Sequence, residues 1–227
     1  MQYEIKGESM PVVICHLQEG ESMKTEKGAM SWMSPNMVMQ TNAGGGIGKA
    51  FSRAFTGESM FQNVYTAQGG AGIIAFASSF PGAILAIPVS SSRTIVAQKH
   101  AFLAMESGVE MKLFFQKRFG SGLFGGEGFI MQQFHGNGMI FLEIDGSVVE
   151  YDLQPGQSML LDNGYLAAMD ETVSIEIEKV SGIGNVLFGG EGLFNTKVTG
   201  PGHIWLQSMP VSQMASVLRP YIATGNK

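Results

Sequence analysis

Apolar and polar side chains alternate along several short stretches of this chain, each bounded by glycine or proline. Between residues 146 and 159 the two faces of the alternation are Val148, Glu150 and Asp152 against Val149, Tyr151 and Leu153. A two-residue period between turns is typical of half-buried β-strands. Gly makes up 31 of the 227 residues, about twice its usual share. We therefore expect an all-β chain of short antiparallel strands joined by tight turns.

The last residues have a different period. Apolar side chains recur at helical spacing in the tail 210–222, at Val211, Met214, Val217 and Leu218. Proline stands at both ends of this stretch, at Pro210 and Pro220, as is common at helix boundaries. The tail thus predicts a short amphipathic helix that caps an open sheet edge or packs on a neighbouring subunit.

One phrase, Phe-x-Gly-Glu, occurs three times, at residues 55–58, 124–127 and 188–191. A second segment that ends in Met recurs upstream of each copy, at 17–33, 89–105 and 153–169. Regular self-similarity predicts repeated structural units that share one core. The chain is therefore expected to be a single domain, 1–227, with three modules at about 7–78, 79–144 and 145–209. These modules would form a β-sandwich or a barrel like a double-stranded β-helix.

Charge and composition narrow the class of partner. Charged residues are only 15% of the chain, against an average of about 25%, so part of the surface is expected to be covered in a homo-oligomer. The net charge of −5 argues against nucleic acid, which usually binds basic domains. The single Cys15 excludes an internal disulfide and fits a reducing compartment. No apolar run approaches the ~18 residues of a membrane span.

Five segments carry a family resemblance: YEIKGESMPVV from Tyr3, LQEGESM with GAMSWM, FLAMESGVEM, LLDNGYLAAMD, and LFGGEGLF with GPGHIWLQS. Together they resemble the bacterial branch of the family named for altered inheritance of mitochondria protein 24, from Tyr3 to about Gln207. The resemblance implies a pseudo-symmetric all-β fold like that of the tryptophan RNA-binding attenuator protein. It implies no established reaction. With the N-terminus, which lacks a secretion-signal pattern, it predicts a bacterial cytoplasmic protein, with attachment to a membrane surface left open.

Candidate chemical groups give mostly structural interpretations. The repeated Glu58, Glu127 and Glu191 could gather around an axis as a cation site. Equal retention in all copies favours instead a carboxylate that accepts backbone N–H groups within its own turn. The histidines lack metal-ligand spacing, and the segment 43–50 departs from the phosphate-loop pattern at Ala43 and Ala50. We predict no catalytic residues, no metal and no cofactor. The recurring Met33, Met105 and Met169 are expected in the core.

Positive charge gathers with aromatic residues just before the Phe-x-Gly-Glu phrases. We predict an interaction surface there, made of Lys49, Phe51, Arg53, Lys112, Phe115, Lys117 and Arg118. Mixed basic and aromatic patches suit anionic lipid surfaces or protein partners. The alternative is that the aromatic rings are core and the cations a solvated fringe.

The main hypothesis is a non-enzymatic binding or scaffold protein that presents this surface to a membrane or to a protein partner. One alternative, from the attenuator resemblance, is an RNA- or nucleotide-binding protein. The other is a β-helix protein that binds a small molecule or acts as an enzyme.

Overall fold

The computed structural model describes residues 1–26, 28–42, 62–117, 129–162, 164–179 and 194–222. The strands of the N-terminal part are β1 Gln2–Lys6, β2 Val12–Leu17, β3 Ser22–Glu26, β4 Met30–Met33, β5 Met37–Asn42, β6 Gln62–Ala67 and β7 Gly72–Ala77. Then follow β8 Gly82–Val89, β9 Ile95–Gln98, β10 Phe102–Glu106, β11 Val109–Lys117, β12 Phe129–Gly136 and β13 Gly138–Asp145. The last are β14 Val148–Leu153, β15 Ser158–Leu161, β16 Leu166–Asp170, β17 Ser174–Lys179, β18 Phe194–Thr199 and β19 Gly202–Gln207. The predicted all-β class is confirmed.

After β1, the described strands fall into three blocks of six: β2–β7, β8–β13 and β14–β19. In every block the first strand pairs with the sixth, the second with the fifth, the third with the sixth and the fourth with the fifth, all antiparallel. Each block therefore folds back on itself as two short layers.

Neighbouring blocks share sheets. β3 of the first block pairs with β10 of the second, and β9 of the second pairs with β16 of the third. The sheets have the orders β1-β2-β7-β4, β5-β6-β3-β10-β13-β8, β11-β12-β9-β16-β19-β14 and β15-β18-β17. Each of these sheets begins and ends with an outer strand that has one neighbour, so the sheets are open. The described strands form no closed barrel, which corrects the barrel part of the sequence prediction.

The third strand of every block carries one extra residue. The register shifts between Met30 and Trp32 in β4, between Phe102 and Ala104 in β10, and between Leu166 and Ala168 in β16. A bulge of this kind bends the strand and increases its twist. β10 and β16 pair on both sides, with their own sixth strand and with the block before them.

The core lies between the layers and continues through the junctions. Its largest fully buried side chains include Phe76, Phe129, Phe134 and Phe141, each of which contributes about 1.5–3 kcal/mol by leaving water. Ala104 of the second block belongs to the buried cluster of the first, and Val96 of the second belongs to that of the third. Packing across the junctions therefore binds adjacent blocks together.

The predicted C-terminal helix is confirmed as α1, Val211–Leu218, followed by a 3₁₀ turn at Arg219–Tyr221. The Val211 N–H donates to Asp145 Oδ2 at 3.1 Å, which satisfies one free donor of the first turn. No residue of α1 is buried, and Val217 is 57% exposed. None of the helices in the described part of the chain is long and apolar enough to cross a membrane.

Candidate interaction surface

The structure places only part of the predicted surface. Outside the described residues lie Lys49, Phe51, Arg53, Arg118 and the three repeated glutamates Glu58, Glu127 and Glu191. Lys117 ends β11, and Lys112 and Phe115 lie within that strand. β11 is therefore where the basic and aromatic pattern can be read in three dimensions.

β11 is the outermost strand of its sheet. It pairs with β12 on one side, and among the described strands nothing pairs with its other side. Lys112, Leu113 and Phe114 are all exposed, with Leu113 and Phe114 at 38% each. We call these three side chains the β11 surface.

A bulge explains why two successive apolar side chains reach solvent. Leu113 lies opposite Gln132 and Phe115 lies opposite Met131, so Phe114 is an extra residue without a cross-strand partner. Strict alternation would turn one of two neighbouring residues inward, whereas a bulge redirects side chains locally.

Phe115 lies on the core side of the same strand. Its ring packs edge-to-face on Phe129, with 6.2 Å between centroids, and it is half-buried against the cluster of the third block. The exposed phenylalanine of β11 is the neighbouring Phe114. The sequence pattern could not distinguish Phe114 from Phe115.

The charges along β11 are mixed, with an excess of positive groups. Glu110 is exposed, and its carboxylate lies 3.4 Å from His135 Nε2 on β12. Lys112, Lys117 and the following Arg118 are cationic, so the strand and its first following residue carry three positive side chains against one negative. A negatively charged segment would gain electrostatically by lying along this edge.

A histidine cluster on β14 and β19 was missed by the sequence reasoning. His203 Nδ1 lies 2.7 Å from Asp152 Oδ1, and His203 Nε2 lies 2.8 Å from Glu150 Oε2. Alternation had placed both carboxylates on one face, but pairing of Asp152 with His203 across the ladder joins residues 51 positions apart.

The cluster favours the imidazolium form of His203. Partial burial by itself lowers the pKa of the ring, but hydrogen bonds and charge from Asp152 and Glu150 outweigh it, so the pKa of His203 is raised. Each ring nitrogen lies within hydrogen-bond distance of a carboxylate, so both are engaged within the chain. The ring centroid also lies 4.4 Å from that of Trp205, with the two ring planes tilted by 58°.

A groove of about 450 Å³ runs between the first and second blocks, lined by residues that include Glu26, Ser78, Ser79, Lys99, His100 and Glu143. The Glu143 carboxylate accepts bonds from the Ser79 N–H at 2.7 Å, the Ser79 hydroxyl at 3.0 Å and the Ser78 hydroxyl at 3.1 Å. Its oxygens therefore hold a turn in place. Within the described residues, no group of three or more His, Cys, Asp or Glu side chains could hold a metal ion.

Comparisons with known proteins place the chain in a family. Residues 3–209 match the family model described as mitochondrial biogenesis AIM24, so the chain belongs to that family, as the resemblance had indicated. It is 31% identical over 225 residues to an uncharacterised protein of Streptococcus pyogenes serotype M6, covering 95% of this chain and 88% of that protein. A crystal structure of a Streptococcus pyogenes protein is similar, with a TM-score of 0.80, 27% identity and coverage of 97% of this chain and 99% of that one.

Proposed function

We propose that this chain is a non-enzymatic binding protein of the bacterial cytoplasm that holds an extended, acidic and apolar segment of a protein partner along β11. The β11 surface supports this proposal, because it combines an open strand edge, two neighbouring exposed apolar side chains and the exposed cation Lys112. Extended peptides bind such edges by adding a strand: main-chain hydrogen bonds give affinity, and side chains give specificity.

The register of β11 limits where such a segment would pair. From Val109 to Leu113 each residue has one partner on β12, so the outer backbone groups are regularly spaced. The bulge at Phe114 interrupts this order and would end the added ladder. A bound segment would therefore pair along 109–113 and place an apolar side chain against Leu113 and Phe114. Acidic side chains of the segment would lie near Lys112, which is exposed.

The other polar clusters are engaged within the chain. His203 is held between two carboxylates, and Glu143 is held by two serines. Binding at an open edge accordingly explains more of the structure than catalysis at either cluster. It also fits a chain in which few residues are charged.

Site-specific photocrosslinking in the native cell tests the proposal. A benzophenone amino acid at Phe114 should crosslink to a defined partner protein, whereas the same group at Val149 should not. Val149 is a matched control, because it is 43% exposed on β14, the opposite outer strand of the same sheet.

A synthetic peptide that spans the crosslinked segment would then be titrated by fluorescence anisotropy. Phe114→Asp should weaken its binding about ten-fold or more, since it removes an apolar contact of about 1.5 kcal/mol. Val149→Asp should leave binding unchanged. Equal crosslinking at both positions would refute the proposal. Flotation with anionic vesicles that is lost in Phe114→Asp, without peptide binding, would replace the protein partner by a membrane surface.

A further inference from the structure

The two junctions between blocks have one geometry. In each of them the third strand of one block pairs antiparallel with the second strand of the block before it. Met105 of β10 lies opposite Lys24 of β3, and Met169 of β16 lies opposite Val96 of β9. The residue before each methionine is the alanine that follows the bulge, Ala104 or Ala168.

One third strand and one second strand, in the first and last blocks of the chain, lack this pairing. β4 is the third strand of the first block, and β15 is the second strand of the third block. Each is the outermost strand of its sheet, and in the part of the chain that the structure describes its outer side pairs with no other strand. The chain thus carries both halves of a junction, one at each end.

Register and turns align these open strands with their paired counterparts. Met33 of β4 lies opposite Ile74 of its sixth strand, as Met105 lies opposite Ile140 and Met169 opposite Ile204. The turns before β3 and β15 share one side-chain and one backbone hydrogen bond. The Gln18 N–H donates to Glu21 Oε2, and the Gln154 N–H donates to Gln157 Oε1. In the same turns the Glu21 and Gln157 N–H groups donate to the Gln18 and Gln154 carbonyls. Counting three residues onward makes Leu160 the counterpart of Lys24.

Apolar side chains that are covered at the internal junctions are bare at the open ones. Trp32 is 46% exposed, whereas its counterparts Ala104 and Ala168 are 0% exposed. Leu160 is 60% exposed, whereas Val96 is 0% exposed. Neither β4 nor β15 contains a charged residue, although outer strands are commonly protected by charge, proline or bulges. The bulge of β4 is shared with the paired third strands, so it is compatible with a junction.

We infer that β15 of one copy pairs with β4 of a second copy in the register of the internal junctions. Leu160 then lies opposite Met33, and Leu161 lies opposite Trp32. The partner is a second copy and not the other end of the same chain, because the buried clusters of the described residues join the first block to the second and the second to the third, but never the first to the third. Such a contact is heterologous, so it repeats until a ring closes or a filament grows.

Cysteine crosslinking between two differently labelled chains tests the register. Opposed residues of an antiparallel ladder have Cβ atoms about 4.5–5.5 Å apart, within reach of a disulfide at the closer pairs. Chains with Met33→Cys are mixed with chains carrying Leu160→Cys under mild oxidation. A disulfide dimer joining the two kinds of chain is expected. The native Cys15 is buried and should not compete.

Two controls and a second measurement complete the test. Trp32→Cys mixed with Leu160→Cys should crosslink much less, because adjacent residues point to opposite faces. By native mass spectrometry, Leu160→Asp should reduce the assembly to the 24.3 kDa chain. Leu160→Lys should still assemble, since Lys24 occupies the equivalent place and donates to the Val109 carbonyl at 2.9 Å. Circular dichroism confirms that each variant is folded.

Three outcomes would overturn the inference. The first is a wild-type chain that stays monomeric at high concentration and shows no mixed crosslink. The second is crosslinking only between like chains, which would mean a two-fold contact. The third is an intrachain disulfide in a monomer of the chain that carries both Met33→Cys and Leu160→Cys, which would mean that one chain closes on itself.

Discussion

Three methionines at one place in the three blocks give a sharp test of the open edge at β4. Met105 and Met169 are fully buried, and each lies between two paired strands. Met33 has the same place in β4 but is only half-buried, because one side of the strand is bare. Truncation to alanine should therefore cost the isolated chain much less at Met33 than at the other two.

The magnitudes follow from burial. Replacing a fully buried Met by Ala costs about 2–5 kcal/mol, from lost transfer energy and the cavity left behind. Half-burial reduces this to about 1–2 kcal/mol for Met33→Ala. In a chain of this size each kcal/mol moves the melting temperature by about 2–4 °C. Met105→Ala and Met169→Ala should thus lower it by about 4–20 °C and Met33→Ala by a few degrees.

Urea unfolding followed by far-ultraviolet circular dichroism measures these costs. Dilute protein gives the value for the isolated chain, and concentrated protein gives the value for the assembly. If β4 pairs with a second copy, the cost of Met33→Ala should rise with concentration while the costs of the other two stay constant. A cost for Met33→Ala in dilute protein as large as that for Met105→Ala would refute the open edge.

Three further predictions concern single residues. His203 has a raised pKa in the folded chain. The stability it contributes is therefore complete below its ordinary pKa of 6.5 and is lost as pH rises through the pKa of the folded chain. His203→Gln should remove this part of the pH dependence of urea unfolding. Burial leaves Cys15 with no exposed surface and raises its pKa to about 12, so Ellman's reagent at pH 8 should react with one thiol only after denaturation. The buried Thr25 hydroxyl donates to the Leu103 carbonyl at 2.6 Å across the first junction, and Thr25→Val should cost about 1–3 kcal/mol because it leaves that acceptor unpaired.

Each of these has a clear contrary result. An unchanged pH profile in His203→Gln would mean that the two carboxylates do not hold the imidazolium. Rapid labelling of Cys15 in the folded chain would mean that β2 opens easily to solvent. A neutral Thr25→Val would mean that water replaces the hydroxyl at the junction.

Local pattern predicted elements well and their partners poorly. The alternation at residues 148–153 is β14, and the apolar spacing in the tail is α1. The prediction that this strand is half-buried was wrong, since Val149 and Tyr151 are both 43% exposed. β14 is an outer strand of its sheet. Which strand is outermost depends on pairings between residues far apart in sequence, and periodicity carries no information about those.

The candidate site shows the same limit at a finer scale. A basic and aromatic stretch was visible in the sequence, but alternation could not tell that Phe114 faces solvent and Phe115 the core. The difference arises from one extra residue between Leu113 and Phe115, and a bulge shifts every later side chain to the other face. The contact of His203 with Asp152 likewise depends on the register of β14 against β19.

Positions at which the three blocks carry different residues indicate where this chain contacts other molecules better than the repeated Phe-x-Gly-Glu phrases do. At this position the two internal junctions have small side chains, Ala104 and Ala168, with no exposed surface. Trp32 has a bulky ring at the counterpart in β4. In the inferred pairing Leu161 of β15 lies opposite this ring, where the first junction has Thr25 opposite Ala104, so both changes add apolar surface. The contact between copies is then expected to be more apolar than the junctions within one copy.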